Sequence, residues 1–301
     1  MSARSILSTI RWLVRDTLSQ ALASGVFWCM VALSVAATLF CITAKAPADG
    51  AGYLQLGFGS IQIPADEGLS AAVRTVQAHL ASWVADVAGL LLALLWTAGF
   101  LPGFLDASAA AVLLAKPAPR WVLLAGKFTG VLAFVGLQAA LFVIGTWFAL
   151  GIRTGVWDRA YLLCVPLLVL HFAIFFSFSA MLAVATRSSV ACVFGSLLFW
   201  MLCWGMNFGR HAVHLVPELH GLSGVLATTT EVGYWVLPKP LDFQLLLSDG
   251  LRPGDVVARL VSTSKLVESN AWSPIASVLA STAVGLALFA ATAYDFIMAD
   301  Y

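Results

Sequence analysis

Residues 106–127 read DASAAAVLLAKPAPRWVLLAGK: a short helical pattern, a basic break at Lys116-Pro117-Ala118-Pro119-Arg120, and Gly126-Lys127 opening the next apolar run. Long apolar runs lie on both sides of this stretch, and roughly 20 apolar residues in helix cross a bilayer core of about 30 Å. Pro117 and Pro119 cannot sit inside a helix, because each lacks an amide N–H and its ring clashes with the preceding turn. The break therefore marks where the chain leaves the membrane and turns back. Cytoplasmic loops carry an excess of Lys and Arg, so Lys116, Arg120 and Lys127 assign this turn to the cytoplasm. A cationic hinge held there is expected to meet an intracellular partner.

Composition agrees. Hydrophobic residues make up 61% of the 301, charged residues 10%, and the mean hydropathy is +0.94. A soluble domain of this size needs far more charge to cover its surface. A net charge of +1 gives no footprint for nucleic acid or a polyanionic substrate. Cys29, Cys41, Cys164, Cys192 and Cys203 lie in or beside apolar runs without a C-x-x-C pair, and read as small buried hydrophobes.

Six spans are expected, at about 21–43, 80–105, 128–150, 161–185, 190–208 and 274–298. Ahead of the first, Ile6, Ile10, Leu13 and Leu18 share one helical face among Arg4, Arg11, Arg15 and Asp16, the pattern of an amphipathic helix on the inner membrane surface. A cleaved signal peptide ending near Ala44-Lys45-Ala46 is the competing reading; the apolar stretch is too long for one. With the arginines of residues 4–15 inside, parity puts Lys116, Arg120, Lys127 and Arg187 inside too, and both termini in the cytoplasm. Arg153 and Arg159 then fall outside, against the rule and only partly offset by Asp158. Residues 45–78 and 210–272 are extracytoplasmic by the same count. The first has a loose alternation over Tyr53–Phe58, Ile61 and Ile63 that suggests a hairpin. The second is punctuated by Pro217, Pro238, Pro240 and Pro253, with apolar stretches too short to span that could lie at, or dip into, the interface. The expected fold is an all-α integral membrane protein, one domain over residues 1–301.

Few motifs carry chemistry. The pattern G-x-x-x-x-G-K-[ST] fails at Gly126-Lys127, where Trp121 stands in place of the first glycine and Phe128 follows the lysine. No nucleophile elbow, H-E-x-x-H or kinase signature occurs either, so the chain is not read as an enzyme, and any ATP is hydrolysed by another chain. His211, His214 and Glu218 would share a helical face and could bind zinc, but two histidines and an acid are not a specific metal signature, and solvated polar side chains at a helix end are the preferred reading. Charge at the bilayer centre costs about 2.5–3.5 kcal/mol on insertion scales, which singles out Asp86, with Gln138 and His171, as intramembrane polar contacts. They line a polar path, or they bond across neighbouring helices while Asp86 reaches outward. Trp83, Trp157, Trp204, Trp235 and Trp272 fall near expected outer interfaces, and Trp12 and Trp121 near inner ones.

Taken together, the chain resembles the permease subunits of ABC type-2 exporters, within them the branch that includes the permease for copper-site maturation of nitrous oxide reductase. The resemblance rests on Leu113-Leu114-Ala115-Lys116-Pro117-Ala118-Pro119-Arg120, a leucine-rich helix ending in a basic residue, proline and arginine. Gly126-Lys127, Trp147 to Trp157 and Tyr234 to Pro240 follow in the family's order. Where the family often has glutamates and Gly-Thr, this chain has the nearly uncharged Asp106-Ala107-Ser108-Ala109-Ala110. The resemblance implies a bacterial cytoplasmic (inner) membrane location and a cytoplasmic ABC ATPase carrying the ATP and Mg. It also implies a second permease copy or related chain, and a coupling helix between spans two and three. The residues then assigned to coupling are Leu113, Leu114, Lys116, Pro117, Arg120 and Lys127, with the Arg187 turn as a second contact. Arg120 and Lys127 could equally pair with lipid phosphates. Two other functions stay open: a non-transporting complex that drives an extracytoplasmic protein, and a membrane enzyme using the external histidines and glutamate or Asp86.

Overall fold

The computed structural model describes residues 3–46, 53–64, 68–105, 119–215, 224–250 and 272–298. Six helices among them are long and apolar enough to cross a membrane: Gly25–Ile42, Leu69–Phe104, Arg120–Thr154, Arg159–Thr186, Ser189–Leu215 and Pro274–Met298. The chain is a helical, multi-pass membrane protein.

Helix α1 (Ala3–Ala23) and helix α2 (Gly25–Ile42) are separated by Ser24 alone. Its hydroxyl caps α2 by accepting the Val26 N–H at 3.3 Å, and also accepts Trp96 Nε1–H at 2.9 Å. Both helices run along the third span, α6 (Arg120–Thr154). On α1 the buried stripe is Leu13, Thr17 and Ala21, one residue per turn. Its counterpart on α6 is Gly126 and Gly130, a G-x-x-x-G spacing that lets two helix backbones approach closely. A Cβ at Gly126 would stand 2.5 Å from Leu13 Cδ1, and one at Gly130 2.7 Å from Thr17 Oγ1 and 2.9 Å from Thr17 Cβ. Arg11, Arg15, Trp12 and Leu7 lie on the exposed side of α1. Gly130→Ala should therefore cost about 1–3 kcal/mol of overpacking, read as a lower thermal midpoint in detergent. Gly205→Ala, whose new methyl meets nothing within 4 Å, should be neutral or slightly stabilising. Equal midpoints for the two variants would contradict the close approach of α1 and α6.

The second span starts at Leu69 and has four parts: α3 (Leu69–His79), a π-helical segment (Leu80–Gly89), α4 (Leu90–Thr97) and α5 (Phe100–Leu105). Hydropathy alone places its start near residue 80, because Arg74, Thr75, Gln77 and His79 interrupt the apolar run. Helix persists through them because the neighbours bury Thr75 and Gln77, while His79 Nδ1 sits 2.9 Å from Thr75 O. In the π segment the coil is widened to i→i+5 bonding. At its end a Cβ on Gly89 would stand 3.3 Å from Val84 O.

A 3-10 turn (Arg159–Leu163) leads into α7 (Cys164–Thr186), the most buried span. Phe172, Phe175 and Phe176 point into the main core with Phe27, Leu90, Leu94 and Phe134. The last span, α11 (Pro274–Met298), packs on α7 where Gly285 meets its backbone: a Cβ would be 3.1 Å from Ile174 Cα. The fifth span, α8 (Ser189–Leu215), is followed by α9 (Gly224–Val236) and α10 (Pro240–Gly250). Helix α10 is buried against the π segment, α7, α8 and α11.

A two-stranded hairpin, β1 (Tyr53–Leu56) and β2 (Ile61–Pro64), pairs Leu54 with Ile63 and Leu56 with Ile61. Leu54 and Leu56 are buried over the ends of α2, α3 and α6, beside Cys41, Val73 and Leu150. The Gly57 N–H, donated to Thr43 Oγ1 at 2.7 Å, ties the tip to α2. At this end Arg153 donates to Ala44 O at 3.1 Å, and Arg74 pairs with Asp158 at 2.8 Å. The opposite end holds Arg120, which donates to Ile297 O at 3.2 Å.

Candidate functional site

Helix α10 begins as a sequence rule would have it. Pro240 occupies the first turn, where its missing N–H is not needed, and Asp242 follows in that turn, where the helix dipole favours an anion. The Lys239 N–H donates to Ser281 Oγ of α11 at 3.1 Å, which fixes the entry to the helix. Asp242, 1% exposed, is then gripped from three sides. It accepts from Asn207 Nδ2 of α8 at 2.9 Å, from Tyr234 OH of α9 at 2.7 Å and from Ser277 Oγ of α11. His211 Nε2 lies 3.0 Å from Asp242 Oδ1, and the Asp242 N–H returns to Asn207 Oδ1 at 3.1 Å. Burial alone would raise the Asp242 carboxyl; the bonds from His211, Ser277 and Asn207 outweigh it and hold it below its ordinary value. Burial also lowers the Lys239 ammonium, against the pull of Asp242. Next to this cluster Arg210 lies over the Tyr234 ring, 3.9 Å from its centroid, and pairs with Glu231 at 2.7 Å. The arrangement can hold a charge in a buried place and clamp α10 to three other helices.

One residue on, Phe243 stacks on the His171 imidazole, centroids 4.4 Å apart and planes 7° from parallel. His171 Nδ1 in turn is 2.5 Å from Asp86 Oδ1, and both side chains are 1% exposed. The structure thus joins two of the intramembrane polar residues singled out by sequence. Asp86 does not reach outward. Gln138 is elsewhere, donating from Nε2 to Ser34 Oγ of α2 at 2.8 Å.

His211 and His214 do not share a ligand position. His211 faces Asp242, whereas His214 is 39% exposed and lies 4.0 Å from Glu231. Glu218 is outside the described residues, and no group of three or more His, Cys, Asp or Glu among those described could hold a metal ion. Trp272 is not at a lipid surface but 4% exposed, in a cluster with Leu241 and Leu245.

Of the residues assigned to coupling, Leu113, Leu114, Lys116 and Pro117 lie outside the described residues. Lys127 is 2% exposed: Nζ donates to Gln20 Oε1 at 3.0 Å, is 3.5 Å from Asp16 Oδ2, and lies over Phe104. Its contacts bind α1 and the end of span two to α6, so it is not a surface cation. Arg187 is exposed, in the left-handed conformation (φ 53°), ending α7 by donating its N–H to Ala183 O at 2.9 Å. A Cβ at Gly99, just before α5, would be 3.9 Å from Ser189 Oγ, so this turn adjoins the end of span two.

Sequence reading did not find Asn207, Tyr234, Asp242 or Ser277 as a set. The one signal available was local, a proline followed two residues later by an acid, which marks a helix start and not a site. No protein-family model and no curated protein matches the chain.

Proposed function

We propose that this chain is the membrane permease subunit of an ATP-driven complex, whose ATP is hydrolysed by a separate cytoplasmic ABC ATPase. One observation carries the reading: the basic, proline-broken segment between spans two and three, on a chain of six apolar helices. Its two flanks support this reading. Phe104 before it and Lys127 after it are drawn together with Asp16 and Gln20 of α1. The Arg187 turn lies beside Gly99. A push on the segment would therefore pass along the chain to α5 and α6, through Lys127 to α1, and from Gly99, just before α5, to the start of α8. Two copies, or one copy and a related chain, complete the assembly in a bacterial inner membrane with both termini cytoplasmic.

The test is recovery of an ATP-hydrolysing chain with tagged protein purified from its native membrane. Leu113→Asp or Leu114→Asp should reduce that recovery about tenfold or more, since an apolar anchor is worth about 1.5–3 kcal/mol when buried in a partner groove. Arg120→Glu should act in the same direction, more weakly and in a salt-dependent way. Undiminished recovery for both leucine variants, at normal membrane expression, would remove the coupling role from this segment.

A further inference from the structure

Helix α10 is held by two acid–imidazole pairs at consecutive residues, Asp242 bound to His211 and Phe243 stacked on the His171 of the Asp86 pair. They are the ion pairs, among the described residues, in which both side chains are fully buried; Arg74–Asp158, Lys127–Asp16 and Arg210–Glu231 each keep one member at least 37% exposed. Their environments differ. Asp242 has donors from Asn207, Tyr234 and Ser277 besides its histidine, which fix it as a carboxylate. Asp86 has one hydrogen-bond partner among the described residues, His171, and the histidine is walled by the Phe175 and Phe243 rings. Among the described residues the ion partner of Asp86 is His171 and not a lysine or arginine. The basic side chains of α6 and α8 are engaged with other groups, Lys127 with Asp16, Arg153 with Ala44 O and Arg210 with Glu231.

An isolated charge in such surroundings is costly, and one proton shared by the pair gives a form with no net charge. That form holds one proton more than a carboxylate beside a neutral imidazole. Whichever atom of the pair holds it, His171 Nε2 then bears a hydrogen as well. His171 Nε2 is buried and has no partner among the described residues, and a buried polar atom left without its bond is destabilising. It is an opening for an exchange partner. The π-helical segment that carries Asp86 is a departure from α geometry of a kind often found at functional sites.

We propose that Asp86 and His171 form a proton-binding site in the membrane interior, exchanging its proton through His171 Nε2. A proton arriving at Nε2 of the neutral imidazole is matched by passage of the Nδ1 proton to Asp86 Oδ1, so the pair gains one proton and one positive charge. Release reverses both transfers. Because Phe243 is stacked on the ring, the occupancy of the site bears on the seating of α10. Other titratable groups on the elements that carry or pack against the pair are His79 and Cys164, seven residues before Asp86 and His171 respectively, Tyr161 in the cluster with Cys164, and the Asp242–His211 pair beside Phe243.

The test uses the purified full chain in lipid nanodiscs, with labelled aspartate and histidine, and infrared difference spectra across the pH range in which the protein stays folded. The expected result is a carboxyl change and an imidazole change with one common midpoint, since coupled groups titrate as a pair. The carboxyl and imidazole components with that midpoint should be missing from Asp86→Asn and from His171→Gln, while those of the other labelled residues remain. Imidazole changes that are the same in wild type and in Asp86→Asn, or a wild-type pair whose bands do not respond to pH, would overturn the proposal. Should the variants fail to fold, wild-type protein moved into D2O decides: the carboxyl and ring bands must shift by exchange, and bands that stay fixed mark a sealed hydrogen bond. The measurement needs no ATPase, so its failure would leave the permease reading standing.

Discussion

Asp242→Ala should free α10 from the bundle and lower stability by about 3–5 kcal/mol, the usual effect of removing one member of a buried pair. The loss is large because four groups lose their acceptor at once: His211, Asn207 Nδ2, Tyr234 OH and Ser277 Oγ, in a cluster where Asp242 is 1% exposed. Asp242→Asn keeps the shape and part of the bonding, and should lose less. Thermal midpoints in detergent give the stability. Local opening is read by mass-mapped maleimide labelling of Cys203, a thiol on α8 that is 1% exposed in the native protein. Cys203 that labels no faster in Asp242→Ala than in wild type would show that α10 is held mainly by its apolar contacts. The pH dependence has a definite sign. Because the folded Asp242 carboxyl is held below its ordinary value, its contribution is complete above the unfolded value of about 3.9 and fades as the pH falls through and below it. The cluster should therefore stay closed at neutral and mildly acidic pH.

Gly285→Leu is the second large effect expected. A side chain there meets the Ile174 backbone and not a flexible tip: Ile174 Cα would be 3.1 Å and Cβ 3.4 Å from the new Cβ. Relief requires α11 to move away from α7, its main partner. Overpacking ordinarily costs about 1–3 kcal/mol, and with the whole Leu side chain beyond that Cβ this variant should reach the upper end or pass it. Leu286→Val, one position along and on an outward face where Leu286 is 65% exposed, should change the midpoint by less than about 0.5 kcal/mol. Similar midpoints for the two variants would mean that α7 and α11 are not in backbone contact.

Some of the site was legible in advance. Asp86 and His171 stand out because charge and imidazole are rare inside apolar runs, and rarity alone marks them as paired or functional. Pairing itself was not legible, since they are 85 positions apart and nothing local aims one at the other. Lys127 shows the reverse error of local reading. Next to a basic hinge it looks like a surface cation, yet Asp16 and Gln20 of a helix more than a hundred residues earlier bury it. The arginines of residues 153–159, which opposed the topology from charge counting, were also counted by position alone. Arg153 is in fact bound to Ala44 O, and Asp158 to Arg74 of another span.

By itself the sequence determined the class: a helical, multi-pass chain with six apolar segments, because a bilayer demands about 20 apolar residues per crossing and little else does. It determined helix ends only where they coincide with polarity, as at Thr186 and Pro274, and missed the start at Leu69 because hydropathy reports lipid and not helix. The tertiary structure alone decided that Pro240–Gly250 is a buried helix in the bundle. Its Asp242, Gln244 and Ser248 make it look like a solvated loop, and burial becomes favourable only when His211, Asn207, Tyr234 and Ser277 converge from three other helices. Polarity along a chain records what a segment would cost if left alone; only the fold supplies the partners that offset it.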